Sequence, residues 1–400
     1  MSLEYTYLIV GAGMTADAAG RGIREVDANG TIALIGAEPD PPYNRPPLSK
    51  ALWKGDPEDS IWRKTAATGA ELTLGRRVVA IDPRGRTATD DRGTVYRFQK
   101  LLLATGGVPR RLPLQSDAII YFRTVEDYRR LRGLASQDVR CAVIGGGFIG
   151  SEIAAALRMQ GRDVTMLIPE GGVGARVFPA DLAAFLVDYY RQKGVAMRMR
   201  EGMVGLEQRG GGGGGDGGAR VVRTTSGAEL TAEVVVAGLG IVPAVELAEQ
   251  AGLRVENGIV VDEFCRTSQP EVYAAGDVAN FANPALGTRL RVEHEDNANT
   301  MGRVAGLNMA GRPTRYDHLP FFYSDLFELG YEAVGDLDAR LETVADWKDP
   351  FREGVVYYLR DGRVRGALLW NTWGQVDHAR ALLAEPGPFR SRDLKGRLPR

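Results

Sequence analysis

Twice along the chain an apolar run ends in a glycine-rich turn that opens a helix of small residues, and no other feature narrows the fold as much. The first copy runs from Tyr5–Val10, a buried strand, through Gly11-Ala12-Gly13-Met14-Thr15-Ala16 into a helix toward Arg24. Thr31–Ile35 follows as a second strand, with Glu38 just past its end. The second copy is Arg140–Ile144, then Gly145-Gly146-Gly147-Phe148-Ile149-Gly150, a helix through Ser151 to Met159, and Asp163–Ile168 with Glu170 after it. Strand, turn, helix and parallel strand in that order form the first unit of a doubly wound sheet. A glycine turn alone is often only a loop; here its strand, helix and acid are all present, and present twice. The fold class expected is α/β, with two Rossmann-like dinucleotide-binding domains.

Each residue of the turn has a physical task. The first glycine (Gly11, Gly145) permits the tight turn, and the second (Gly13, Gly147) lets backbone approach a pyrophosphate. The third small residue (Ala16, Gly150) allows close helix packing. The pyrophosphate then rests on the helix N-terminus, where aligned N–H groups favour an anion. Glu38 and Glu170 are placed to accept hydrogen bonds from adenosine ribose hydroxyls. A carboxylate at Glu170 favours a free 2′-hydroxyl and repels a 2′-phosphate, which points to NADH over NADPH. Arg176 nearby reads equally as a solvated surface charge or a cofactor contact. Leu101–Gly107 and Val234–Gly240 each read as the last parallel strand of a unit, ending in small residues that approach a cofactor (Ala104, Thr105 and Gly106; Gly240). Ser268–Asp277 reads as a short strand ending in Gly276-Asp277, whose carboxylate is suited to the ribityl hydroxyls of a flavin. That assigns FAD to the N-terminal unit.

At 400 residues the chain has room for two or three cores. The expected division is a FAD-binding domain over 1–113 and 240–316, a NADH-binding domain over 114–239, and a C-terminal α+β domain over 317–400. The last rests on the aromatic-rich, antiparallel-looking pattern from His318 onward, with Gly354–Leu359, a turn at Asp361-Gly362, and Val364–Trp370. The run from Gly210 to Gly218 cannot pack a core and reads as a flexible hairpin tip between Met203–Leu206 and Ala219–Val222. A formal net charge of -1 offers no broad positive field, so neither nucleic acid nor a membrane surface is an expected partner. No basic start leads into a long apolar core, and no stretch approaches a bilayer span, so a cytoplasmic location is expected.

Two cysteines, Cys141 and Cys265, and three histidines, His294, His318 and His378, are too dispersed for a metal site, and none is expected. Cys141 reads as a small buried thiol. No Cys-x-x-x-x-Cys pair lies near the first glycine turn, so a dithiol relay is not expected and electrons leave from the flavin itself.

These runs, with Pro42-Tyr43-Asn44-Arg45-Pro46-Pro47-Leu48-Ser49-Lys50 and Ala104–Arg110, resemble the FAD- and NADH-dependent reductases that serve ferredoxins and rubredoxins, within the pyridine nucleotide-disulfide oxidoreductase superfamily of glutathione reductase-like fold. Gly145–Glu152, Ile168-Pro169-Glu170, Arg291–His294, Tyr323–Leu326, Gly330–Gly335 and Leu369-Trp370-Asn371 carry a closer resemblance to apoptosis-inducing factor and its bacterial relatives. The resemblance implies flavin contacts from Arg45, Lys50, Val78, Arg123, Asp277, His294 and Trp370. It places Phe148 and Ile149 near the nicotinamide, with Glu152, Glu170, Gly240 and Glu293 on the NADH side. Lys50 and Glu152 are expected to pair as cation and counter-charge, and these two with Phe148 are the expected catalytic set. Relative to the animal member no mitochondrial presequence is expected, the insertion after Lys50 is short, and the long insertion before Gly354 is missing, so no death-related, DNA-binding or redox-gated dimerisation role is expected.

The implied activity is hydride transfer from NADH to FAD, then electron transfer to a separate acceptor such as a ferredoxin or rubredoxin. A dedicated reductase of one such carrier, and a redox-sensing interaction protein, stand as alternatives. The natural acceptor and a homodimeric state stay open.

Overall fold

The computed structural model describes residues 3–114, 116–208 and 218–398, in two compact units. One comprises Met1–Arg45, Glu58–Val108 and Val242–Phe322; the other comprises Pro46–Pro57, Pro109–Ile241 and Tyr323–Arg400.

The first unit is built on a seven-stranded sheet. Its centre is Leu3–Val10, parallel on one side to Ile32–Ile35 and on the other to Val95–Leu103, with Val10 opposite Ile35 and Leu103. These strand ends are apolar without alternation because helices and loops cover both faces. The strand Val95–Leu103 changes character along its length. Its first half alternates buried and exposed residues and pairs antiparallel with Thr87–Asp90, while its buried second half pairs in parallel with Val272–Ala274. The strand read from sequence as Leu101–Gly107 therefore begins earlier and stops at Leu103, leaving Ala104–Gly106 as the turn beyond it. The helix Met14–Arg24 crosses Glu295–Met309 closely, and glycines make the crossing possible. A Cβ on Gly302 would sit 2.5 Å from the Thr15 carbonyl oxygen, and one on Gly306 would run into that of Ala19.

The second unit holds a five-stranded parallel sheet in the order Ala196–Met199, Asp163–Ile168, Arg140–Ile144, Val234–Ala237, Ile119–Tyr121. Val234–Ala237 is thus interior, flanked by a three-residue strand that hydrophobic periodicity does not mark. Met203–Gln208 and Arg220–Thr224 pair antiparallel as expected, and the glycine run between them, apart from Gly218, lies outside the described residues. The same unit contains the C-terminal antiparallel sheet, ordered Phe321–Leu326, Leu329–Gly335, Arg363–Trp370, Glu353–Arg360, Glu342–Asp349. Aromatic side chains join this sheet to the parallel one: Phe327 packs edge-on against Tyr190 at 5.1 Å, and the Tyr358 hydroxyl donates to the Val177 carbonyl at 2.9 Å. Among the described residues no helix is long and apolar enough to cross a membrane.

Candidate active site

Both glycine turns have the geometry their sequence demands. Gly11 (φ +118°) and Gly145 (φ +104°) adopt backbone that L side chains rarely take. A Cβ on Gly11 would collide with the Ala104 carbonyl, and one on Gly145 would lie 2.5 Å from the Gly238 carbonyl oxygen. At the second glycines the situation reverses, since a Cβ on Gly13 or Gly147 would meet nothing within 4 Å. Those glycines are the N-caps of Met14–Arg24 and Phe148–Met159, and no side chain caps either helix. By contrast Thr124 and Asp127 close Val125–Leu134 with a capping box. Uncapped N–H groups facing open space fit a pyrophosphate. The third positions pack tightly: Ala16 is fully buried, and a Cβ on Gly150 would run into the Gly145 carbonyl.

In the first unit the predicted acids lie on one electrostatic chain. Glu38 accepts from the Tyr43 hydroxyl and from the Arg45 guanidinium, each at 2.5 Å. Burial works against the Arg45 charge, but Tyr43, Glu38 and Asp277 outweigh it and hold the guanidinium above its usual range. The Gly276-Asp277 turn rests on the first turn of the helix, because a Cβ on Gly276 would meet the Thr15 hydroxyl. The Asp277 carbonyl accepts from Arg291, which also pairs with Glu293 at 2.7 Å. His294 precedes helix Glu295–Met309 and stacks on Phe322 at 4.3 Å. Ala104 donates its N–H to the Val10 carbonyl at 2.8 Å, beside Gly11. Ala244 holds the next two residues, its carbonyl accepting from the Thr105 hydroxyl and its N–H donating to the Gly106 carbonyl. Val78 opens a strand and is buried.

In the second unit Lys50 lies 2.8 Å from Glu152, both largely buried. Glu152 also accepts from the Ser49 and Ser324 hydroxyls, each at 2.5 Å, and the Lys50 ammonium stands 5.2 Å over the Tyr323 ring. Three donors on one carboxylate are what a buried negative charge requires. Phe148 and Ile149, in the first turn of the same helix, stay half-buried beside the exposed Gly147. Glu170 is paired with Arg176, whose side chain is 83% exposed. Arg123 donates its backbone N–H to Asp127 at the start of Val125–Leu134, and the Gly240 carbonyl accepts from Arg110. Trp370 is fully buried: its ring stacks on Tyr331 at 5.7 Å, and its indole N–H donates to the Phe351 carbonyl.

Ser49, Ser324, Tyr331 and Tyr43 lie in runs that carry the family resemblance, but the sequence assigns none of them a role of its own. Ser49 and Ser324 stand 103 and 172 positions from Glu152, so no local pattern ties them to it. Both cysteines are buried free thiols. Desolvation pushes Cys141 up to about 12 and Cys265 higher still, which leaves neither as a thiolate nucleophile near neutral pH. Among the described residues no cluster of His, Cys, Asp or Glu is arranged to hold a metal.

Residues 5–302 match the family model described as pyridine nucleotide-disulphide oxidoreductase. The chain belongs to that family. It is an enzyme, an FAD-dependent oxidoreductase that takes hydride from NADH and passes electrons to a separate acceptor. Residues 305–350 and 345–385 match the model for the C-terminal domain of mitochondrion-associated apoptosis-inducing factor. The ferredoxin–NAD(+) reductase component of the anthranilate 1,2-dioxygenase system of Burkholderia cepacia is 37% identical over 388 residues, covering 94% of each chain. Mitochondrial apoptosis-inducing factor 1 of Dictyostelium discoideum is 31% identical, covering 95% of this chain and 78% of its own. The reductase in a crystal structure of the covalent putidaredoxin reductase–putidaredoxin complex superimposes with a TM-score of 0.89 at 31% identity, over 97% of this chain and 95% of that one.

Proposed function

We propose that this oxidoreductase is the reductase of a small iron–sulfur carrier of ferredoxin type. The observation that carries the reading is the full-length likeness to a ferredoxin reductase component, with two buried thiols that leave no dithiol relay in the chain. When bound, FAD supplies the conversion of a two-electron hydride into single electrons. The protein's part is binding, orientation and charge. The first glycine turn holds the FAD pyrophosphate through helix N–H groups, Glu38 accepts from the adenosine ribose, and Asp277 accepts from the ribityl hydroxyls. Arg45, Val78, Ala104–Gly106, Arg123 and His294 complete the flavin set, whereas Trp370, fully buried against Tyr331 and Phe178, has no surface to offer it. The second glycine turn holds NADH, Glu170 reads its free 2′-hydroxyl, and Phe148 with Ile149 shelters the nicotinamide from water. Gly240 and Glu293 belong to the NADH side. Lys50, paired with the Glu152 carboxylate, supplies the cation to the hydride step.

The test is steady-state oxidation of NADH against a [2Fe–2S] ferredoxin, a rubredoxin, a quinone and oxygen. Ferredoxin should turn over at least about tenfold faster than the others, a difference of about 1.4 kcal/mol in the rate-limiting barrier. A quinone or oxygen rate equal to it overturns the reading. The C-terminal match to apoptosis-inducing factor favours a second reading, a redox sensor, for which every acceptor would be slow.

A further inference from the structure

We infer that Ser324, on the strand Phe321–Leu326 of the C-terminal sheet, is a positioning residue that holds the Glu152 carboxylate on Lys50. The inference rests on the reading of Lys50 and Glu152 as part of the hydride step. Ser324 donates to Glu152 Oε1, the same oxygen that faces the Lys50 ammonium, while Ser49 donates to Oε2. A carboxylate oxygen accepts, so the single proton of the Ser324 hydroxyl is committed to it.

Ser324 is buried, and so is Tyr331 on the neighbouring strand, whose ring stacks on Trp370 at 5.7 Å and is met edge-on by Phe178 at 5.4 Å. The Tyr190 hydroxyl donates to the Ser151 carbonyl, so its proton points elsewhere. The C-terminal sheet thus acts on a buried ion pair through one serine hydroxyl, which gives it a part in the chemistry beyond packing.

Ser324→Ala, Ser324→Thr and Lys50→Ala are compared in the FAD-loaded enzyme. Two measurements are made: single-turnover flavin reduction by NADH, and acylation of Lys50 by an amine reagent, read by peptide mass against the exposed Lys348. Ser324→Ala should lower the saturating reduction rate by up to about tenfold, with the apparent NADH dissociation constant moving less than about twofold. Lys50 should be acylated faster in Ser324→Ala, and Ser324→Thr should restore both readouts. In the Lys50→Ala background Ser324→Ala should add less than about twofold, since the two act through one group. Full additivity there, or unchanged acylation of Lys50, overturns the inference. If Lys50→Ala itself leaves reduction untouched, the role of Lys50 in the hydride step fails instead, and the acylation result still decides whether Ser324 positions it.

Discussion

Replacing Glu170 by Ala should shift the enzyme toward NADPH, and the structure sets the size of the shift. A 2′-phosphate in place of the 2′-hydroxyl would set like charges about 5 Å apart, a repulsion of roughly 1 kcal/mol in water and about 3 kcal/mol at an effective dielectric of about 20. The Glu170 side chain is 27% exposed, which places it between those limits. Arg176 pairs with the carboxylate, but at 83% exposure its offset stays within about 1 kcal/mol. The net discrimination is then about 1–2 kcal/mol, so kcat/KM for NADPH should rise roughly 5- to 30-fold in Glu170→Ala. NADH should lose one hydroxyl hydrogen bond, about 0.5–1.5 kcal/mol, and fall roughly two- to tenfold. Arg176→Ala should act in the opposite sense and worsen NADPH, because it removes the cation paired with Glu170 and leaves the carboxylate. Stopped-flow reduction of the flavin with each nucleotide measures all three enzymes. The wild-type gap should narrow at high salt, as exposed charges are screened. An NADPH rate in Glu170→Ala within twofold of wild type, or an improved one in Arg176→Ala, refutes the electrostatic account.

Replacing both Cys141 and Cys265 by Ser should leave NADH-driven electron transfer unchanged wherever the variant folds; loss of transfer with FAD still bound would reveal a thiol relay. Gly306→Ala should cost more than about 2 kcal/mol and loosen FAD, because its Cβ has no room against the Ala19 carbonyl; thermal melts and flavin release read both, and a neutral melt would mean that the two helices can separate freely. Asp90 is buried, which raises its carboxyl, but donors from Thr94, Tyr96, Arg92 and Arg76 outweigh that and hold it at about 2. A depressed folded value against about 3.9 unfolded means stability that is complete above pH 4 and lost as the pH falls toward 2. Asp90→Asn should therefore remove about 2 kcal/mol at neutral pH and flatten the acid limb between pH 4 and 2. An acid limb identical to wild type in denaturant melts across that range would exclude Asp90 as its source.

What was legible in the sequence was what is local. Gly11, Gly13 and Glu38 lie within one unit of strand, turn and strand, and so do Gly145, Gly147 and Glu170; Gly11 and Gly145 have a steric reason that no other residue satisfies, and Gly13 and Gly147 leave open space at the helix N-termini, so pattern and structure coincide. The strand Val95–Leu103 was half visible because only its second half is covered on both faces, and alternation in the first half reads as an edge. Ile119–Tyr121 is three residues long, too short for any period, and its absence from the reading made Val234–Ala237 look terminal when it lies inside the sheet. The crossing of Met14–Arg24 with Glu295–Met309 depends on Gly302 and Gly306, which within their own helix read only as weak helix formers. Their meaning comes from a partner far away in the chain.

The same distance explains the surroundings of Glu152. A carboxylate in a small-residue helix calls for a cation, and the family resemblance implied Lys50. Serine carries no such signal, since a hydroxyl is common on surfaces and in cores alike. What gives Ser324 its task is that a buried carboxylate needs more donors than one ammonium can supply, and that the antiparallel sheet delivers them from the far end of the chain. The demand can be read at Glu152, but the supply can be read only in three dimensions. It follows that Ser324→Ala looks conservative by composition, volume and propensity, yet it removes one donor to a buried charge. Its cost should appear in the hydride step before it appears in the fold.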